Sequence, residues 1–226
     1  MEYKVPVIPG VFLSRPNRFL AHILINGKEE ICHVKNTGRC RELLPPGAKV
    51  YCADCLHPGR KTRYDLIAVE KNGQLINMDS QAPNTAVATF LRRGGLGEIS
   101  GLKPETTFGS SRFDFSFQQD GRKCFLEVKG VTLENSGVCA FPDAPTQRGT
   151  RHLQELTALS RAGYGCYVLF VVQMEKALCL IPNEETDPAF SRALREAKAA
   201  GVTVLAYTCK VTPTKMQLAS PLPLRL

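Results

Sequence analysis

Apolar and polar side chains alternate from Arg112 to Gln119 and again from Cys124 to Lys129. Alternation with a period of two is the signature of a strand in a sheet. Asp120-Gly121 lies between the runs and predicts a type I′ hairpin turn, which needs positive φ at both central positions. That turn sets Asp114 opposite Glu127 and Arg112 opposite Lys129. Phe113, Phe115 and Phe117 then share a face with Cys124, Leu126 and Val128. Asp114 and Ser116 share the other with Phe125, Glu127 and Lys129.

The same reading extends along the chain. Up to about Ser80, "RFLAHILI" and "KEEICHVK" flank Asn26-Gly27, and "YDLIAVEK" and "QLINMDS" flank Asn72-Gly73. With "AKVYCADC" these make about five strands, which suggests a small OB-like barrel; an SH3-like barrel fits almost as well. "RCRELL" reads as a short helical turn. From residue 81 onward the pattern alternates. "NTAVATFLRRG" predicts a helix capped by Asn84 or Thr85, and "RGTRHLQELTALSRAG" a second with a stripe of Leu153, Leu156 and Leu159. "CYVLFVVQ", "KALCLIPN" and "VTVLAYTCKV" predict strands. "DPAFSRALREAKAAG" predicts a helix capped by Asp187 with Pro188 at its first position. The tail "LASPLPLRL" reads as extended. The predicted fold class is mixed α+β or α/β, with a barrel over residues 1–80 and an α/β domain with a mixed sheet over 81–226.

Composition narrows the function classes. A hydrophobic content of 43% and a charged content of 22% describe a soluble globular chain. "CYVLFVV" is the longest apolar run and is too short to cross a bilayer, so no membrane partner is expected. The start "MEYKVPVIPG" lacks the features of an export signal, and nine cysteines are an odd number at scattered positions. Free thiols in a cytoplasmic protein follow. "CADCLH" offers Cys52, Cys55 and His57 but no set of four ligands, which argues against structural zinc.

Charge points toward acidic partners. The net charge is +8 and the pI about 9.1. From Arg15 to Arg63, ten Lys/Arg meet four Asp/Glu. Three clusters carry phosphate-binding types: Arg15, Asn17 and Arg18; Lys35, Asn36 and Arg39, followed by Arg41; Arg60, Lys61 and Arg63. Phe19, Tyr51 and Tyr64 lie close by as stacking candidates. Nucleic acid is the expected partner, and decoration of turns is the alternative.

Two facing carboxylates in an oily hairpin need a proton, a cation or water between them. Asp114, Glu127 and the Val128 carbonyl suit Mg²⁺ or Mn²⁺, with Lys129 placed to orient water or steady charge on phosphorus. Glu98 is a further candidate ligand. The alternative is a solvated face on which Arg112 and Lys129 neutralise the acids. On the second helix Arg148, His152 and Glu155 share a face, away from the leucines. Arg148 and Arg151 suit phosphate, and His152 suits proton donation to a leaving group.

This layout resembles the PD-(D/E)XK, restriction-endonuclease-like fold, although Phe113 rather than Pro precedes Asp114. A more specific resemblance rests on "RPNRF", "NTGRCRELL", "GRKTRYDL", "GSSRFDF", "CFLEVKGVTL" and "FPDAPTQRGTRHLQEL". Together these stretches resemble the sugar fermentation stimulation protein A family. The resemblance implies an OB-like domain followed by a nuclease-like domain, nonspecific DNA binding, and a role in regulating sugar (maltose) utilisation. It leaves two readings of the acids: a Mg²⁺-dependent nuclease, or a catalytically inert DNA-binding protein on a nuclease scaffold.

Overall fold

The structure, a computed structural model, describes residues 1–226 except Thr37, Arg39 and Ser110. Six strands open the chain: β1 (Val7–Asn17), β2 (Leu20–Ile25), β3 (Lys28–Val34), β4 (Lys49–Asp54), β5 (Tyr64–Lys71) and β6 (Gln74–Asn77). Their order is β3-β2-β1-β4-β5-β6, and a parallel β3–β5 pairing closes the first five into a barrel. Both Asn-Gly turns form, with positive φ at each residue.

The barrel strands differ from the expected five. β1, with Pro9 and Pro16 inside it, was not anticipated, whereas β6 pairs only with β5 and lies outside the closure. Proline lowers the strand signal because it cannot donate to a ladder. Here Gly10 explains why the segment packs: a Cβ at this position would sit 2.7 Å from Ile23 Cγ2. We expect Gly10→Ala to cost about 1–3 kcal/mol through overpacking, read as a lower urea midpoint.

The second region starts with α1 (Ala82–Arg92), followed by β7 (Ser100–Phe108), β8 (Ser111–Gln119) and β9 (Arg122–Val131). Then come β10 (Glu134–Asn135), β11 (Val138–Phe141), α2 (Gln147–Arg161), β12 (Gly165–Val172) and β13 (Cys179–Pro182). α3 (Pro188–Ala199), β14 (Thr203–Thr212) and β15 (Lys215–Pro221) complete the chain. The main sheet runs β15-β14-β12-β9-β8-β7; β12 is parallel to both β9 and β14, and the outer pairs are antiparallel. β13 joins a small separate sheet, β10-β11-β13. α1 covers one face of the main sheet against β9 and β15, while α2 packs on β12 and β8 with α3 beside it.

Local chemistry accounts for the helix ends. Asp187 accepts a hydrogen bond from the Phe190 N–H at 2.9 Å, with Pro188 in the first turn. Thr146 caps α2 by accepting from the Gly149 N–H at 3.0 Å. α1 begins earlier than expected, at Ala82, because Pro83 is tolerated in a first turn; Asn84 is inside the helix and its side chain is used elsewhere. The tail is more ordered than "extended" implies: β15 pairs with β14 and Leu222 is buried.

The hairpin register is as expected from Phe115↔Leu126 to Gln119↔Arg122. It stops one step short of Asp114 and Glu127. Phe113 leaves its expected face and packs on Phe125, with ring centroids 5.1 Å apart. The Asp114 carboxylate takes the Val128 N–H in place of a strand acceptor, so the ladder ends and the side chains change sides. Both faces of the sheet are buried, since helices cover each.

Candidate active site

Asp114 Oδ2 accepts from the Val128 N–H at 2.7 Å and Oδ1 from Asn84 Nδ2 at 2.8 Å. Glu127 Oε1 accepts from Lys129 Nζ at 2.8 Å and faces His152 Nδ1 at 2.5 Å. α1 therefore orients one acid and α2 the other. Arg148 Nε lies 3.5 Å from His152 Nε2, which leaves Nδ1 to carry the proton shared with Glu127. Glu127 Oε2 is buried and has no hydrogen-bond partner among the described residues.

The electrostatics of the two acids diverge. Burial, then the charge of Glu127, holds the Asp114 carboxyl above its usual range, against the pull of Val128 N–H, Asn84 and Lys129. Burial also opposes the charge on Glu127, but His152 and Lys129 outweigh it and hold that carboxyl below its usual range. Glu127 is only 4% exposed, so the solvated-face alternative does not describe it. Nor does Arg112 neutralise the acids: it pairs with Glu105 at 2.5 Å and lies opposite Thr107.

His152 is also buried, beside Leu153 and Leu156 rather than on an exposed face away from them. The packed stripe of α2 is wide enough to include it. Glu155 pairs with Arg151 at 3.6 Å. Arg148 is exposed and lines a polar pocket of ≈ 230 Å³ with Glu105, Arg112, Phe113 and Asp114, which opens the site to solvent. Glu98 is not brought to the acids. It is exposed in the loop before β7, whose Ser100 lies opposite Gln118 near the hairpin tip. Among the described residues, no group of three or more His, Cys, Asp or Glu is arranged to hold a metal. The oxygen donors that the structure shows here are the carboxylates of Asp114 and Glu127. Asn84 is the site residue that sequence reasoning missed, because Asn before an apolar run reads first as a helix cap.

Several residues expected on DNA are engaged in contacts within the chain. Lys35 Nζ bridges Asp65 and Asp79, at 3.2 Å from each, and Arg60 also pairs with Asp65. Arg63 makes a two-pronged contact with Asp54 at 2.9 and 2.6 Å. Asn17 Oδ1 accepts from the Phe19 and Leu20 N–H groups, and Asn36 Oδ1 from the Gly38 N–H. Arg15 donates to the carbonyls of Gly38, Arg18 and Asn36. Arg18 and Lys61 are exposed. Arg39 lies outside the described residues. Nine free cysteines are present, with Cys52 buried in the barrel and Cys55 3.5 Å from Asp65.

The sequence matches two family models: "SfsA N-terminal OB domain" over residues 13–78 and "Sugar fermentation stimulation protein RE domain" over residues 81–215. The chain belongs to the sugar fermentation stimulation protein family. A family homologue from Desulfitobacterium hafniense (strain Y51) is 53% identical over 208 residues, covering 92% of this chain and 91% of its own. One from Ruminiclostridium cellulolyticum is 47% identical over 227 residues, covering both chains completely. The structure of Pyrococcus furiosus SfsA in complex with Ca²⁺ matches this fold with a TM-score of 0.89 at 28% identity, covering 100% of this chain and 98% of that one. The family fold is thus an OB-like barrel followed by a restriction-endonuclease-like domain. No helix among the described residues is long and apolar enough to cross a membrane.

Proposed function

We propose that this chain binds DNA with little sequence preference and hydrolyses its phosphodiester bonds at Asp114, Glu127 and Lys129, with Mg²⁺ or Mn²⁺. The observation that carries this reading is Glu127 Oε2, buried without a partner close to a second, desolvated carboxylate. A cation would satisfy that oxygen and favour ionisation of Asp114. The Ca²⁺ complex of the Pyrococcus furiosus relative supports a hard divalent ion in this fold.

Asp114, Glu127 and the Val128 carbonyl would hold the ion. Such a metal polarises a phosphoryl oxygen and lowers the pKa of bound water. The chain's own groups do the rest. Lys129 places a positive charge where negative charge grows on phosphorus. Arg148, at the pocket mouth, offers a phosphate contact, with Arg151 one turn position further along the exposed surface of α2. His152 Nδ1 faces Glu127 Oε1 at 2.5 Å, so it fixes that oxygen and leaves Oε2 for the ion rather than donating to a leaving group. In the barrel, Arg18 and Lys61 guide the nucleic acid. The family's name connects it to sugar use, and on this reading a role in sugar (maltose) utilisation runs through DNA.

A second reading, an inert DNA-binding protein, is favoured by the ion pair of Glu127 Oε1 with Lys129 and its hydrogen bond with His152. Calorimetric titration with Mn²⁺ separates the two. We expect the wild type to bind the ion and Asp114→Asn to lose it; equal binding by both proteins would remove the metal site. Asn84→Ala should weaken Mn²⁺ about 10–100-fold while leaving the melting temperature nearly unchanged, because Asn84 only orients Asp114.

A further inference from the structure

The two basic segments around Arg18 and Arg41, some twenty residues apart in sequence, meet around a cleft of ≈ 360 Å³. The acid pair does not line it. Its floor is Phe12, Cys40 and Leu44, all buried. Its rim carries Arg18 and Arg41, both exposed. Arg15 ties the walls together through the carbonyls of Gly38 at 3.0 Å, Arg18 at 2.9 Å and Asn36 at 2.7 Å. The described lining residues include no acid. Glu42 and Asp143 lie near Cys40 without lining the cleft; burial, then these charges, push its thiol up to about 11, so the floor is uncharged at neutral pH. Phe19 stands next to the rim, 50% exposed, with the Arg18 guanidinium carbon 5.5 Å from its ring centroid.

An apolar floor under a cationic rim complements one nucleotide, whose base is flat and apolar on its faces and whose phosphate is anionic. The volume falls at the small end of the range for small-ligand sites, roughly 300–1,000 Å³. A paired, stacked base cannot enter such a cleft; a base in a single strand can. We propose that this cleft takes one unstacked nucleotide of single-stranded DNA. The base rests against Phe12, Cys40 and Leu44, its phosphate lies between Arg18 and Arg41, and the adjacent base stacks on Phe19. This rests on the DNA-binding reading and adds to it the strand state that the barrel selects.

The test is fluorescence anisotropy with a labelled single strand and the same sequence as duplex. The proteins are wild type, Arg18→Glu, Arg41→Glu and, as a charge control on α3, the exposed Lys198→Glu. The wild type should prefer the single strand. Each cleft variant should weaken that complex about tenfold or more, the scale of one lost stacking and phosphate contact, and weaken duplex by a clearly smaller factor, with Lys198→Glu giving the effect of charge alone. Equal weakening of both DNA forms would overturn the proposal and leave general DNA binding intact. Wild type binding neither form would remove both readings. Strand displacement by low concentrations of free dTMP would mark a mononucleotide site instead, and would also overturn it.

Discussion

Glu127→Gln should lose divalent-ion binding and reduce DNA cleavage by about 10²–10³-fold or more, the range seen when one preorganised electrostatic group is removed. The substitution keeps the side chain's size but removes the charge from an oxygen that is buried and, among the described residues, unpartnered. It also leaves Lys129 and His152, both largely buried, facing a neutral amide. A fall in stability is therefore expected beside the loss of activity. The two effects separate by measurement: a melting curve reports the first, and cleavage below the variant's melting temperature reports the second. Full cleavage by a folded Glu127→Gln would place the chemistry elsewhere.

The largest effect on folding is expected at Lys35. This side chain, read from sequence as a phosphate contact, is the shared partner of Asp65 and Asp79, which are 0% and 2% exposed. Ser80 donates to its carbonyl at 2.7 Å, and Tyr3 donates to Asp79 at 3.2 Å, so the cluster fastens the barrel to the segment that leads into α1. Lys35→Met keeps the stem but leaves Asp79 without its cation and Asp65 with Arg60 in place of two cations, and breaking a buried pair in this way costs about 3–5 kcal/mol. The pH dependence has a definite sign. Burial opposes ionisation of Asp65, but Arg60 and Lys35 outweigh it and hold its carboxyl below the usual range. That contribution is complete above the ordinary Asp value of about 3.9 and is lost as pH falls through the depressed folded value. The gap in urea midpoint between wild type and Lys35→Met should therefore be wide at neutral pH and narrow in acid. A gap unchanged in acid would mean that Lys35 acts through the packing of its stem.

What could be read from the sequence follows the range of the interaction. Asp120-Gly121 and both Asn-Gly turns were legible because a turn's requirement for positive φ is local. The α3 start was legible because Asp187 and Pro188 are adjacent to the groups they satisfy. The acid pair stood out as charge inside an oily hairpin. The rest depends on distant partners. β1 hid behind its prolines, and its fit depends on Ile23 on the neighbouring strand β2. The change of face at Phe113 follows from a side-chain-to-backbone bond between Asp114 and Val128 that no alternation encodes. Asn84 and His152 acquired their places from α1 and α2 docking on opposite faces of the sheet. Lys35 looks like a phosphate ligand until the β3–β5 closure brings Asp65 to it, and Arg60 and Arg63 until the loop between β4 and β5 folds them onto Asp65 and Asp54.

The central claim is that the Asp114–Glu127 centre cleaves DNA with a divalent ion. The most direct measurement is a cleavage time course of the purified wild type on single- and double-stranded DNA, with Mg²⁺, Mn²⁺ or EDTA. The account predicts products that accumulate with either metal and stop with EDTA. DNA that is bound yet stays intact under every metal condition would contradict it, and would leave a DNA-binding protein on a nuclease scaffold.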